Sequence, residues 1–405
     1  MTATRALVER ALTRVASADR SSLEAAAGRS FFDFAACARG GREVLDAAWA
    51  GPAGRLAVEA HALDRDDLHP TTLTHPGGIV WPAVVAAGPG IAGRDAVAAA
   101  ALGYEIVAAV ATLLGRDARR YWHVAALAGA PGAAAAAASA SGAGGDEIVA
   151  AVGHALSVAG GSIQAMLERS GTRFLHRAHA VRSGLACAGA AAARLGATQL
   201  GLESPNGLLA AVGSSTDPWS ETVGPAPAIG ATALRPWAAT GFAQAAVDTA
   251  LELGPLPADD VAAVSISVSP GATALAGNVS PASDAEAWWS VAHAFCVTLV
   301  AGEEALEHGL TDDPAVTALL GRCTVAGGRE DLGAAVELEL RDGAVRTATV
   351  PFALGDPARP LSDEQQLEKW LRVAGEGGVE AFERCRAIAE RPFGELVDAV
   401  LGGPL

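Results

Sequence analysis

The sequence contains a single lysine, Lys369, in 405 residues. It therefore offers at most one candidate for a Schiff base, a pyridoxal-phosphate anchor or the lysine of a phosphate-binding loop. Lys369 lies in SDEQQLEKWLRVAGE, a charged, helix-like stretch near the C-terminus that suits none of these roles. No G-x-G-x-x-G follows an apolar strand and there is no Walker loop, so neither a dinucleotide nor ATP is indicated. Cysteine is sparse: Cys37, Cys187, Cys296, Cys323 and Cys385 are widely spaced, odd in number and form no C-x-x-C pair. This is neither a disulfide framework nor a zinc site, and it reads as a set of buried small hydrophobes.

Charge is also scarce, at 18% against 51% hydrophobic residues, so the chain can bury a large core and is not disordered. The net charge of −16 argues against nucleic acid or an anionic membrane surface as a partner. An anionic small molecule stays possible, because a few local arginines override the global sign. The N-terminal MTATRALVERALTRVASADR has no apolar run of the signal-peptide kind and reads as an amphipathic helix. The stretch Val124 to Gly145 is mostly Ala and Gly, contains Pro131 and has little Leu, Ile or Phe. It reads as closely packed helix inside a soluble protein, since alanine adds little to bilayer transfer. The expected location is the cytoplasm.

At this length two domains are expected. Up to about residue 230 the pattern is one of successive alanine-rich helices, including Leu7 to Ala16, Leu23 to Ala38, Val80 to Ala87, Arg94 to Leu114, Asp146 to Ala159 and Val181 to Leu195. Beyond it, Val261 to Ser269, Ala334 to Arg341 and Val345 to Phe352 alternate and are β-branched, the last two joined by the hairpin signal Asp342-Gly343. Helical stretches intervene at Gln244 to Glu252 and Ala287 to Gly302. The tail from Ser362 is helical again. The expected fold is mainly α: a large all-helical domain over 1–231, completed by 363–405, and a smaller α+β domain over 232–362.

Three segments gather titratable side chains. HALDRDDLHPTTLTHPGG holds His61, Asp64, Asp66, Asp67, His69 and His75, and leads into an apolar helix at Ile79. A helix start presents free N–H groups to a carboxylate ligand. Helix capping, acid–base work and a metal site are all readings of this segment. His123 follows Tyr121-Trp122 and opens the alanine-rich helix. There the helix dipole would favour the neutral base, and a structural role is the alternative. SGTRFLHRAHAVRSG places Arg173, His176 and Arg177 on one face if it is helical. That face either binds an anion or pairs with surface acids such as Glu168.

These segments resemble the MmgE/PrpD family, which includes 2-methylcitrate dehydratases, cis-aconitate decarboxylase and iminodisuccinate epimerases. The resemblance rests on His61-Ala62-Leu63-Asp64-Arg65-Asp66-Asp67, His75-Pro76-Gly77, Pro82-Ala83, Gly103-Tyr104-Glu105, Trp122-His123 and Arg173-Phe174-Leu175-His176, in order, with FFDFAACARGG upstream. It implies a helical domain with a smaller α+β lid, a site between them without metal or cofactor, a small-molecule substrate and a homodimer. By position it implies Asp64, His75 and His123 as catalytic residues, with His293 near the place of a family tyrosine. His69, Arg173, His176, Thr240 and Trp237 are the expected substrate contacts. Arg173 replaces a family lysine, Thr240 a lid histidine and Leu68 a threonine. With Trp237, Trp288 and Trp289 these changes add apolar bulk, which implies a less anionic or differently shaped substrate than a tricarboxylate.

The expected chemistry is proton abstraction next to a carboxylate or carbonyl by His123 or His75, oriented by Asp64, with the enolate held by Arg173 and N–H groups. Dehydration or decarboxylation then makes a lyase. Reprotonation makes an epimerase or isomerase, and attack by the enolate a cyclase. A non-catalytic ligand-binding protein on the same fold and a metal-dependent hydrolase using the Asp/His loop are the readings from other classes.

Overall fold

The computed structural model describes residues 1–220, 224 and 226–402. The chain divides into two units, Met1–Ala233 with Gln366–Leu405, and Leu234–Gln365.

The first unit is built of helices: Ala3–Ser17, Arg20–Arg42, Pro52–His61, Gly77–Ala87, Gly93–Ala118, Val124–Ala140, Gly145–Val158 and Thr172–Ala192 are its longer ones before the second unit begins. Polar residues at the expected places start the first two. Thr2 accepts the N–H of Arg5, and Asp19 that of Ser22. Helix Val124–Ala140 forms the centre, with only Ser139 escaping full burial. It packs against Gly77–Ala87, Gly93–Ala118, Gly145–Val158 and Thr172–Ala192. Alanine and glycine make such close crossings possible: a methyl on Gly132 would collide with Val107, and one on Gly184 would stand 2.5 Å from the Cβ of Ala133. Helix Gly93–Ala118 is long and apolar enough to cross a membrane, yet 89% of its most apolar window is buried inside the protein.

The returning C-terminal segment is held by aromatic packing on helix Arg20–Arg42. Trp370 stacks on Phe32 at 4.6 Å, Phe382 meets Phe32 edge-on at 5.1 Å, and Phe393 lies 5.5 Å from Phe31.

The second unit carries a four-stranded sheet of β1 (Val261–Val268), β2 (Cys323–Gly327), β3 (Ala334–Leu340) and β4 (Val345–Val350), in the order β2-β1-β3-β4. β1 pairs in parallel with β2 and antiparallel with β3, which pairs antiparallel with β4 through the Asp342-Gly343 turn. Gly343 takes φ +87°, as this turn demands. Val264, Ile266 and Val268 alternate inward with Val336 and Leu338. Helices Gln244–Leu253 and Val291–Ala301 pack together and supply the rest of this core.

The expected fold class therefore holds: a large helical part and a smaller α+β part. Two local expectations need correcting. The helix expected from Val181 begins at Thr172, because Arg173 and His176 leave the polarity of its first turns high although the backbone stays helical. Strand β2 was not anticipated. It is short, buries fully only Cys323, and pairs with a strand distant in sequence, so it carries little alternation of its own.

Candidate active site

The loop from His61 to Pro76 links helices Pro52–His61 and Gly77–Ala87. It is fixed by short backbone pairings, Leu68 with Ala233 and His69 with Thr74. Asp64 and Leu73 sit in the left-handed region at φ +52° and +51°. Aspartate tolerates that conformation better than most residues, whereas for Leu73 it is strained.

Hydrogen-bond partners settle two imidazole tautomers here. Arg177 Nη2 lies 3.4 Å from His61 Nε2, and a guanidinium can only donate. His61 Nε2 is therefore the acceptor, and its proton sits on Nδ1, 2.9 Å from Asp66 Oδ1. Both nitrogens of this buried ring are committed. His75 Nδ1 donates to the carbonyl of Asp67 at 2.6 Å, which makes Nε2 its basic nitrogen. The same Nδ1 lies 3.6 Å from Asp66 Oδ1. Arg177 also donates to the backbone carbonyl of His75 at 3.1 Å, so one guanidinium holds the His61 ring and the His75 main chain.

Asp67 is wholly buried at the start of helix Gly77–Ala87. Its carboxylate accepts the N–H of Gly77 at 3.0 and 3.1 Å and the hydroxyl of Tyr104 at 2.7 Å. Tyr104 meets Ser30 Oγ at 2.6 Å, and Ser30 accepts the indole N–H of Trp81 at 2.9 Å. Only glycine fits at 77, since a Cβ would come within 2.6 Å of the Tyr104 oxygen and 2.8 Å of Asp67 Oδ2. The helix start that the sequence offers to a ligand carboxylate thus holds the chain's own. Burial, then the charge of Asp66, pushes the Asp67 carboxyl up to about 7, against the opposing bond from Tyr104.

His123 stands at the N-cap of Val124–Ala140, with its N–H on the carbonyl of Gly161 at 2.9 Å. Its Nδ1 faces Nδ1 of His176 at 3.1 Å, with ring centroids 5.3 Å apart. Burial first, then Arg177, His176, Arg173 and Arg119, drives its pKa well below the ordinary value. The neutral state expected from the helix dipole is thus produced mainly by burial and arginines. His176 is half-buried and also lowered, by burial and then His179 and Arg177. Arg173 Nη1 lies 3.8 Å from Asp64 Oδ2. His69 bonds Thr72 Oγ1 at 3.0 Å and is lowered to about 4 by burial.

Among the described residues, His61, Asp66 and His75 bring ligand-capable atoms within 4.8 Å of one another. Arg177 stands 3.9 Å from Asp66 and bonds His61, so a metal cation there would meet a fixed positive charge.

The remaining expected residues belong to the second unit. His293 is 2% exposed, lies in the first turn of Val291–Ala301, and is lowered to about 4 by burial. Its Nε2 has no hydrogen-bond partner among the described residues. Thr240 is buried, with its N–H on the carbonyl of Trp288 at 2.8 Å. Trp237 belongs to the apolar core, and its indole N–H is held by Asp248 at 2.9 Å.

Against known families, the chain matches the MmgE/PrpD N-terminal domain over residues 20–221 and the MmgE/PrpD C-terminal domain over residues 237–393. It belongs to the MmgE/PrpD family. That is a family of dehydratase-type enzymes, which supports an enzymatic role for this member. No curated protein matches the chain. In this MmgE/PrpD chain the structure brings Asp64, His69, His75, His123, Arg173 and His176 into one unit, and Thr240, Trp237 and His293 into the other. Arg177 was expected on an anion-binding face and His61, Asp66 and Asp67 in the polar loop, but the bonds that tie Arg177 to His61 and Asp67 to Tyr104 were not anticipated. The Gly-Tyr-Glu marker was the signal available for Tyr104. Nothing local singled out Ser30 or Trp81.

Proposed function

We propose that this protein is a cofactor-independent lyase, taking a proton from carbon next to a carboxylate or carbonyl and then eliminating water or carbon dioxide from a small organic acid. The observation that carries the reading is His123, a buried imidazole at a helix N-cap with its Nδ1 3.1 Å from that of His176. The pKa of His123 is driven well below the ordinary value by burial first and then by Arg177, His176, Arg173 and Arg119. A neutral imidazole accepts a proton, and the arginines favour a carboxylate substrate and its enolate. Arg173, where the family has lysine, serves as a charge and not as a proton donor. His75, with its proton on Nδ1, offers a second basic nitrogen.

In the elimination, the C–H proton passes to an imidazole nitrogen and the electron pair is held as the enolate. Collapse of the enolate expels the β-hydroxyl, which leaves as water on receiving a proton from an imidazole N–H. Leu68 is buried at the place of a family threonine, which supports a substrate less anionic than a tricarboxylate.

The test is incubation in heavy water with citrate-like compounds, hydroxy acids, amino acids and β-keto acids, read by mass spectrometry. Deuterium uptake together with loss of water or carbon dioxide from one compound, absent in His123→Ala, is the expected result. Uptake without elimination would replace the lyase by an epimerase or isomerase. Binding without exchange would overturn the reading in favour of a ligand-binding protein.

A further inference from the structure

His123 and His176 present the same atom, Nδ1, to each other at 3.1 Å. Two bare nitrogens would repel, and so would two N–H groups, so one proton lies between them. Gly161 holds this arrangement from the third side. Its carbonyl accepts the N–H of His123, and a Cβ at Gly161, whose φ is +140°, would stand 2.8 Å from Ala126 Cβ and 3.3 Å from His176 Nδ1. The two rings differ in access: His123 is buried and His176 half-buried.

We propose that His123 and His176 form a two-imidazole proton relay, in which His176 sets the tautomer of His123 and exchanges its proton with solvent. The relay rests on the lyase reading for its substrate and on the contact itself for its existence. In the resting form His123 Nδ1–H donates to His176 Nδ1, leaving His123 Nε2 as the base and the second His176 proton on Nε2. When His123 Nε2 takes the substrate proton, the Nδ1 proton moves across to His176. His123 is then neutral again with its proton on Nε2, and His176 is the cation. Loss of the His176 Nε2 proton to water leaves both rings neutral with both tautomers reversed. In that form His123 Nε2–H is an acid: as it gives its proton to the leaving hydroxyl, its Nδ1 recovers the proton from His176 Nδ1 and His176 Nε2 takes one from water, which restores the resting form.

The surroundings disfavour a lasting cation. Arg173 and Arg177 on the helix of His176, Arg119 at the end of Gly93–Ala118, and His179 one turn along all raise the cost of charge on the pair. The cation is therefore transient, and the proton is discharged. His176, expected from sequence to contact substrate, acts here through His123.

The contact is tested first without substrate, by 15N NMR of histidine-labelled protein at neutral pH, the two rings assigned from His123→Gln and His176→Gln. Two neutral rings with complementary tautomers are expected. A cationic ring, or the same tautomer on both, would overturn the relay. The second test uses whichever compound exchanges in the heavy-water panel. His176→Phe is expected to lower turnover at least 10-fold, because the imidazolium that His123 becomes on taking the substrate proton can no longer pass its Nδ1 proton on. His176→Asn, whose carbonyl can accept from His123 Nδ1 but cannot take that proton, is expected to stay at least 10-fold below wild type and to lose the second proton in flight from a proton inventory in mixed light and heavy water. Wild-type turnover and an unchanged proton inventory in either variant, with circular dichroism showing the fold intact, remove His176 from the proton path. Failure of every compound to exchange with wild-type protein removes the lyase reading, while the NMR result still decides the pair.

Discussion

Lys369 and Asp33 form an ion pair inside the helical unit, Nζ to Oδ1 at 2.5 Å, with side chains 2% and 5% exposed. The same ammonium donates to the carbonyl of Arg65 at 2.7 Å, between Asp64 and Asp66. The chain's one lysine is thus a fastener that ties helix Asp363–Ala374 to the site loop. Lys369→Met removes the cation and leaves buried acceptors behind. The expected loss is about 3 kcal/mol in urea denaturation. A loss under about 1 kcal/mol would show that the pair does not hold the loop.

The Asp67 network makes a matching prediction. Tyr104→Phe takes one donor from a buried carboxylate and leaves Ser30 without its partner at 2.6 Å. The expected cost is about 2 kcal/mol. Gly77→Ala should destabilise at least as much, since its Cβ meets both Tyr104 and Asp67. Wild-type melting of either variant would contradict the network.

Asp67 also gives a pH dependence of known sign. Its folded pKa of about 7 lies above the ordinary 3.8, so the fold favours the neutral carboxyl. That contribution is present at low pH and is lost as pH rises from 4 through 7. Asp67→Asn keeps a neutral side chain at every pH. Between pH 5 and pH 8 its stability relative to wild type should improve, by something on the order of 2 kcal/mol. An unchanged gap would mean that Asp67 is ionised in the fold throughout.

His69 and His293 work in the opposite direction. Both are lowered by burial from 6.5 to about 4, so the unfolded chain binds more protons in that window. Stability falls as pH drops from 6.5 toward 4, by up to roughly 3 kcal/mol for each ring. His293→Leu should flatten the acid limb of the stability profile. A limb as steep as wild type would assign the acid sensitivity elsewhere.

For catalysis, His123→Gln keeps a polar side chain at the N-cap while removing the base. Turnover of the compound identified in heavy water should drop by about 10²–10⁴, with circular dichroism unchanged. Retained turnover would move the base to His75.

Much of this was legible in the sequence, because alanine-rich periodicity, the β-branched alternation of Val261–Val268 and the Asp342-Gly343 turn are local signals. Local order placed His123 at a helix start and gathered His61, Asp64, Asp66, Asp67, His69 and His75 into one loop. The sequence also carried the family, in ordered motifs of fixed spacing. The partners of those side chains lie elsewhere in the chain. Asp67 depends on Tyr104 and Ser30, His61 on Arg177, His123 on His176, and the loop on Lys369. Such contacts form only when helices cross, and the crossings depend on side-chain volume, which residue type fixes but linear order does not reveal. Tautomers and pKa shifts follow from those contacts and from burial. The sequence therefore determined which chemical groups the site holds, and only the tertiary structure decided which of them hold a proton, which accept one, and which are spent holding the others in place.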